Sequence, residues 1–260
     1  MPIPYEKYLF YEKALEHMER TVNVFASRVS APKFVPYKNS FVYRYTEKTV
    51  HQALVQKLAR VVSGLHAARL LLDAGFLQEQ AAQQRILDEI FEDISFLSFS
   101  VIFGDSTPLH KNYLDWFFQE EFDPNDVVVS SKDRGMVPRQ KIRSYLDRSV
   151  SGPKGSSKNL DALRTVSKAY SGYVHAASPQ IMEMYGGNPP QFQMRGMQGT
   201  QRQAEHRADI WNYFYRGIIA FCHTAKAFGD DELFDSIRKF EAEFSLATSS
   251  GYQSNDWPEE

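Results

Sequence analysis

The chain has 260 residues, of which 43% are hydrophobic and 24% charged, with a formal net charge of −2 at pH 7. These values are typical of a globular protein large enough to bury a sizeable core. The single cysteine, Cys222, excludes an internal disulfide framework, and its apolar neighbours predict a buried structural thiol. The N-terminus lacks a signal-peptide pattern, and the most apolar run, residues 94–103, is about half the length that spans a bilayer. We therefore expect a cytoplasmic protein without a membrane segment.

Helical periodicity begins near the N-terminus. Apolar residues recur at spacings of three and four over residues 5–26, which predicts a first amphipathic helix. Prolines interrupt the pattern over residues 30–46, although residues 41–45 alternate aromatic and other side chains as a strand does. Because no partner strand is evident nearby, we predict a loop here that lays its aromatic side chains over the helices that follow.

Two amphipathic helices joined by a short turn organise the chain over residues 49–103. The first ends at Gly75, which suits a left-handed cap. The second begins near residue 78, and its polar face carries four charged residues, Arg85, Asp88, Glu89 and Glu92. Further along, aromatic residues occupy that same face, so this end of the helix is expected to be covered on both sides. We also expect Arg85 and Glu89, four residues apart, to form an ion pair.

Shorter helical segments follow this hairpin. Thr107 and Pro108 suit the N-cap and first position of a helix, and Pro138 opens a short basic helix. Further helices are predicted over residues 160–175, 200–228 and 230–246, with irregular segments over residues 149–159 and 186–199. The pattern predicts an all-α multi-helix bundle with long irregular loops, built on the central antiparallel hairpin. We assign residues 1–247 to a single helical domain and predict that residues 248–260 are disordered.

The small net charge conceals two blocks of opposite sign. Residues 132–168 contain ten Lys or Arg against three Asp or Glu, whereas residues 86–126 contain ten Asp or Glu against one Lys. Two interpretations remain open. The blocks neutralise each other in the fold, or the basic block forms a surface for RNA or another polyanion.

Few side chains lie in patterns that indicate chemistry. The seven histidines are scattered, and none lies in a helical metal-binding pattern, so we predict no metal and no cofactor. One stripe of the helix over residues 160–175 is distinctive, and it contains Arg164, Lys168, Ser171 and His175. A cation beside an imidazole can hold a phosphodiester and move its protons. Such a row is also typical of a solvated helix face. His175 lies in an otherwise apolar segment, which is also typical of a buried structural histidine.

Two short segments resemble bacterial HEPN-like proteins of unknown function. The leucine-rich helix ending at residues 70–75, followed by a helix with Arg85 and Glu89 four residues apart, is similar to their paired helices. Residues 170–175, Tyr-Ser-Gly-Tyr-Val-His, are similar to the end of a later helix in those proteins. The resemblance covers residues 49–175.

The resemblance implies a helical bundle, often dimeric, and in many members a ribonuclease with an Arg-x4-6-His pair. Here Lys168 lies seven residues before His175, and Arg164 eleven residues before it. The first hypothesis is an RNA- or nucleotide-directed protein, with catalysis at His175, Lys168 and Arg164 and with binding residues Ser171, Arg85 and Glu89. The alternative is a non-catalytic helical interaction or scaffold module that forms a homodimer. The changed spacing favours the alternative for catalysis, whereas the basic block favours the first hypothesis for binding.

Overall fold

The computed structural model describes residues 5–122, 133–152, 165 and 168–248 of the chain, with side chains from residue 9 onward. The helices in these residues are α1 (Tyr5–Ser27), α2 (Val50–Asp73), α3 (Leu77–Ile102), α4 (Pro108–Phe117), α5 (Arg139–Ser151), α6 (residues 168–174), α7 (Ser178–Met182), α8 (Gln201–Ala227) and α9 (Asp231–Thr248). Two antiparallel strand pairs accompany them, β1 (Lys33–Tyr37) with β2 (Ser40–Arg44) and β3 (Tyr185–Gly186) with β4 (Gln191–Phe192). The fold is the predicted all-α multi-helix bundle.

The predicted central hairpin is confirmed as α2 and α3. Thr49 caps α2, because its hydroxyl accepts a hydrogen bond from the backbone N–H of Gln52 at 3.2 Å. Gly75 in the turn has a φ of +78°, and its carbonyl accepts a hydrogen bond from the N–H of Met197 at 2.7 Å. A Cβ at Gly75 would lie 2.6 Å from the backbone nitrogen of Gln198. This glycine therefore permits both the turn and the close approach of the segment that leads into α8.

The helix α3 lies at the centre of the bundle. It packs against α2, α8 and α5, while α1 packs against α2, α8 and α9. The core between these helices contains fully buried apolar side chains, among them Leu54, Leu58, Leu65, Phe214 and Phe221. Each such side chain contributes roughly 1.5–3 kcal/mol on burial. Cys222 is buried as predicted, and burial raises the pKa of its thiol to about 12.

The prediction of a loop over residues 30–46 is wrong, because this segment forms the β1–β2 hairpin. The partner strand is the segment immediately before β2, so that Phe34 pairs with Tyr43. The two-residue connection Lys38-Asn39 joins the strands, and Lys38 takes a left-handed φ of +55°. Pro36 obscured the alternation of the first strand in the sequence, but a proline is tolerated where a strand lies at a sheet edge.

Asp88 and Glu92, two of the four charged residues on the polar face of α3, are buried, although such a face is typical of a solvated helix surface. Asp88 and Glu92 are only 2% and 6% exposed, whereas the apolar Ile86 is exposed. Asp88 meets α8 and Glu92 meets α5, while Ile94 and Leu97 on the apolar side are fully buried, so this stretch of α3 is covered on both faces. At the far end Phe96 is fully buried but Phe103 is 55% exposed, so the expected cover on both sides ends before the last turn.

The last helix extends further than predicted. Thr248, which we placed in a disordered tail, is a buried residue of α9. Its hydroxyl accepts a hydrogen bond from the indole N–H of Trp211 at 2.7 Å and donates to the carbonyl of Phe244. The predicted irregular segment after α5 likewise begins later, since α5 continues to Ser151. The predictions for residues 153–164 and 249–260 lie outside the described residues.

Candidate functional site

A row of four polar side chains runs along the buried face of α3 at intervals of one turn. This α3 polar row consists of Gln80, Gln84, Asp88 and Glu92. Arg216 of α8 forms an ion pair with Asp88. From α5, Nε of Arg143 donates a hydrogen bond to Oε1 of Glu92 at 2.8 Å. The row therefore joins α3 to both of the helices that cover it.

Several atoms of this row are buried without a hydrogen-bond partner among the described residues. They are Nε2 of Gln80, both amide atoms of Gln84, Oδ2 of Asp88 and Oε2 of Glu92. Nη2 of Arg143, the partner of Glu92, is also buried without a hydrogen-bond partner among the described residues. An unsatisfied buried polar group costs about 1–3 kcal/mol, and water or a ligand often completes such a network. Burial raises the pKa of Asp88 and of Glu92, against the opposing effect of their arginine partners. Both carboxyl groups consequently hold a proton more readily than an exposed acid does.

Beside one end of the α3 polar row lies a cavity of about 440 Å³, which we call the inner cleft. It is bounded by α2, α4 and the segment that leads into α5. Three cationic side chains line it, Lys57, Arg134 and Arg139, together with the rings of Tyr113, Trp116 and Phe117. Among the described residues of its wall, one side chain is acidic, that of Glu121. The volume is in the range of small-molecule binding sites.

Two cations at the floor of the inner cleft share one carboxylate. The buried Asp93 accepts hydrogen bonds from Nζ of Lys57 at 2.8 Å and from Nη1 of Arg139 at 2.6 Å. Burial lowers the pKa of Lys57, although Asp93 opposes this effect. Burial alone would raise the pKa of Asp93, but Lys57 and Arg139 outweigh it, so that the pKa is lowered. An ionised Asp93 therefore lies behind two cations that face the cavity.

Aromatic contacts fix the shape of the inner cleft. Nζ of Lys57 lies 4.8 Å from the ring centroid of Phe117 and 5.3 Å from that of Tyr113, within the range of cation–π attraction. Gly135 packs directly on the indole of Trp116, because a Cβ there would lie 2.3 Å from Cε2 of the ring. Any side chain at Gly135 would displace the indole.

A larger cavity of about 790 Å³, the outer cleft, continues from the inner cleft. The two cavities share Phe117, Glu121 and Arg134. Strand β2 forms part of its wall through Tyr43 and Arg44. The guanidinium of Arg44 is held by the carboxylate of Glu120, with Nε 2.6 Å from Oε1. A continuous depression thus runs from the β1–β2 hairpin to Asp93.

The opposite end of the α3 polar row reaches a third cavity, of about 260 Å³, between α6 and α8. His206 lines it, and Nδ1 of this ring lies 2.7 Å from Oε1 of Gln80. Burial, together with the nearby Arg202, lowers the pKa of His206, so that its imidazole is neutral at pH 7. On the same wall the hydroxyl of Tyr170 donates a hydrogen bond to Asp209. A neutral histidine held by a buried amide is suited to relay a proton.

The predicted site residues separate in the structure. Arg85 and Glu89 form the expected ion pair, with Nη2 of Arg85 2.7 Å from Oε1 of Glu89. The carbonyl of Glu89 also accepts a hydrogen bond from Nη1 of Arg139 at 3.1 Å, which places both residues in the network behind the inner cleft. Lys168 and His175 are exposed, and neither lines any of the three cavities.

His175 follows α6 rather than lying within it. Its N–H donates a hydrogen bond to the carbonyl of Ser171 at 3.1 Å, and the chain then turns at Ala176, which has a φ of +50°. Ser171 itself is half-buried on α6, and Arg164 lies outside the described residues. In the part of the chain that the structure describes, this stripe is separate from the network of Arg85 and Glu89.

Cations of the basic block pair with the acidic block. Among the described residues five ion pairs join the two blocks. Arg134 pairs with Glu121 at 3.0 Å and Arg143 with Glu92 at 2.8 Å, whereas Arg139 pairs with Asp93 at 2.6 Å and, at longer distance, with Glu92 and Glu89. For the described portion of residues 132–168, these contacts favour mutual neutralisation over a free basic surface.

Within the described ranges, no group of three or more His, Cys, Asp or Glu side chains is arranged to hold a metal ion. A helix long and apolar enough to cross a membrane is also absent from those ranges. No family model, no curated protein and no solved structure matches this chain.

Proposed function

We propose that this chain is a HEPN-like protein directed at RNA or nucleotides, and that its inner cleft binds a nucleoside phosphate, either free or at the end of an RNA strand. One observation supports this above all: three cations and three aromatic rings line a single cavity of about 440 Å³. Aromatic rings stack on bases, and arginine and lysine bind phosphate oxygens. The helical bundle is also the architecture that the HEPN resemblance implies.

The arrangement of charge in the inner cleft supports an anionic ligand. Lys57 and Arg139 line the cavity, whereas the carboxylate of Asp93 lies behind them. An anion that enters the cleft therefore meets the cations first. Because burial lowers the pKa of Lys57, a phosphate within reach of Nζ would raise that pKa again. Phosphate binding would then favour the protonated form of Lys57.

Titration calorimetry with four probes tests this function: inorganic phosphate, AMP, UMP and a 5′-phosphorylated RNA oligonucleotide. We expect both nucleotides to bind more tightly than phosphate, because a base adds stacking to the phosphate contact. Tighter binding of the phosphorylated RNA than of AMP and UMP would assign the inner cleft to the end of an RNA strand. Tighter binding of AMP or UMP would assign it to a free nucleotide.

Arg134→Gln removes a cation from the rim of the inner cleft, where the side chain is half exposed and its loss leaves the core intact. We expect roughly 10- to 150-fold weaker nucleotide binding, since a charged hydrogen bond contributes about 1.5–3 kcal/mol. Arg20→Gln on α1 is the matched control, because Arg20 is an exposed arginine paired with Glu16 away from the clefts. Equal binding by the two variants, or no binding of nucleotide by the wild type, would contradict the proposal.

The alternative, a non-catalytic interaction module that forms a homodimer, is favoured by the exposure of Lys168 and His175 outside the three cavities. Sedimentation equilibrium tests it directly. A stable dimer that binds none of the four probes would support this alternative, whereas a monomer that binds nucleotide would exclude it. RNA binding through residues 132–168 is a further part of the proposal, and a salt-dependent affinity for RNA would support it.

A further inference from the structure

We propose that the outer face of the β1–β2 hairpin is a stacking platform for single-stranded nucleic acid. This binding surface is separate from the inner cleft and does not depend on nucleotide binding there. The rings of Phe34, Phe41 and Tyr43 form the platform.

The two faces of the hairpin differ in exposure. Phe34, Phe41 and Tyr43 are 59%, 54% and 67% exposed, whereas Val35 and Val42, which point to the opposite face, are partly buried. Side chains alternate between the faces of a strand, so the pairing of Phe34 with Tyr43 puts the aromatic residues together on the outside. Aromatic side chains of this size are normally buried, and an exposed cluster indicates an interaction site.

The three rings form a continuous ladder. The ring centroids of Phe34 and Phe41 are 5.2 Å apart with an angle of 20° between the planes. The centroids of Phe34 and Tyr43 are 4.9 Å apart. Cross-strand contacts thus hold the rings in place before any ligand arrives, which lowers the entropy lost on binding.

Lysines lie at both ends of the ladder. Lys38 lies in the turn and Lys48 follows the open end of the hairpin, and in the described ranges neither forms an ion pair. Lys33, at the start of β1, begins on the face opposite the rings. Arg44 is neutralised by Glu120. Unpaired lysines around exposed rings match a chain of bases and phosphates, since the rings stack on bases and the lysines neutralise phosphates. An apolar protein partner would instead desolvate these lysines without supplying an acid, which is unfavourable.

The platform also borders the outer cleft. Tyr43 belongs to the ladder and lines that cavity, so a strand stacked on the hairpin has an open path beside it. Among the described residues, the wall of the outer cleft contains Lys48 together with two ion-paired arginines, Arg44 and Arg134, and three acids, Asp115, Glu120 and Glu121. Of these, Lys48 is the cation that can neutralise a phosphate without breaking an ion pair. Single-stranded nucleic acid is therefore the occupant that both the rings and the charges fit.

Fluorescence anisotropy with a labelled uridine oligonucleotide of about 12 nucleotides tests the proposal, at about 50 mM salt. Phe34→Thr and Tyr43→Thr remove a ring but keep a residue that favours strands. We expect each variant to bind roughly 5- to 100-fold more weakly, as for the loss of one base stack. Phe103→Thr is the matched control, because Phe103 is a similarly exposed phenylalanine at the end of α3, and its affinity should equal that of the wild type.

Replacing Lys38 and Lys48 together by Gln should reduce the salt slope of binding by about 1.4, at about 0.7 per phosphate. Circular dichroism melts check that each variant is folded, and a hairpin variant that is unfolded is replaced by Phe41→Thr. Equal affinity of the hairpin variants and the wild type would overturn the proposal, and so would the absence of oligonucleotide binding. A dimer that the hairpin variants dissociate, without nucleic-acid binding, would assign the platform to a protein contact instead. AMP binding distinguishes the two sites, because it should persist in the hairpin variants and weaken in Arg134→Gln.

Discussion

Replacing Asp93 by Asn is expected to destabilise the fold by removing the carboxylate that two cations share. Arg139 retains other acids, since Glu92 lies 3.7 Å and Glu89 3.8 Å from its guanidinium. Lys57 loses its ion pair at 2.8 Å while remaining buried. The cost is therefore concentrated on Lys57, and we expect about 3–5 kcal/mol, as for other broken buried ion pairs.

Equilibrium unfolding in urea at pH 7 measures this cost. Glu16→Gln provides the comparison, because it breaks the exposed ion pair with Arg20 and should cost at most about 1 kcal/mol. Adding Lys57→Met to Asp93→Asn removes the stranded cation and should restore most of the lost free energy of unfolding. An unchanged urea midpoint for Asp93→Asn, or no recovery in the double variant, would refute this account of the cleft floor.

The pH dependence follows from the lowered pKa of Asp93. A carboxyl group with a lowered pKa stabilises the folded state above its unfolded pKa, and this stabilisation is lost as the pH falls. The ordinary pKa of an aspartate, which applies in the unfolded chain, is 3.8. The difference in the free energy of unfolding between the wild type and Asp93→Asn should therefore have its full value at pH 6 and diminish below about pH 4.

Three further predictions concern other residues. Burial lowers the pKa of His223 from 6.5 to about 4, so the wild type should lose roughly 3 kcal/mol of stability as the pH falls from 6.5 towards 4. His223→Gln should lack that loss in urea melts at pH 7 and pH 4.5. Glu89→Gln should cost only about 0.5–1 kcal/mol in thermal melts, because Glu89 is more exposed than its partner Arg85. His175→Ala should leave the melting temperature unchanged, since His175 is exposed, and loss of RNA cleavage in this variant would support a catalytic role.

Local signals were sufficient to predict the helical framework. Thr107 and Pro108 marked the start of α4, and Gly75 marked the turn after α2, because caps and turns depend on the residues next to them. The hairpin had a similar local signal that we missed. Lys38-Asn39 separates two runs of alternating side chains, and this pattern is typical of a two-residue hairpin connection.

The α3 polar row was not predictable in the same way, because its partners are distant in the sequence. Arg143 lies 51 residues from Glu92, and Arg216 lies 128 residues from Asp88. Periodicity separates apolar from polar faces, but it cannot show that a polar face is buried against arginines from other helices. It therefore placed Asp88 and Glu92 on a polar face without indicating that they are buried.

The ion pair at the floor of the inner cleft was not predicted, but the sequence contained a signal for it. Lys57 comes three residues after Leu54 and four before Val61, so it falls within the apolar stripe of α2. Asp93 comes three residues after Ile90 on the buried side of α3. A lysine and an aspartate on the apolar faces of two paired helices indicate a buried ion pair, and this signal was present in the sequence.

The α3 polar row also determines how α3 is aligned along its neighbours. A slip by one turn, about 5.4 Å, would keep an apolar stripe in contact with the core. In the row, however, such a slip would bring Gln84 opposite Arg216 in one direction, and in the other it would bring Phe96 opposite Arg143. One slip leaves the partly buried Arg216 without its acid and the other leaves the buried Arg143 without its acid. Stranding a buried charge costs several kcal/mol. The charges therefore select a single axial alignment among several that hydrophobic packing alone would tolerate.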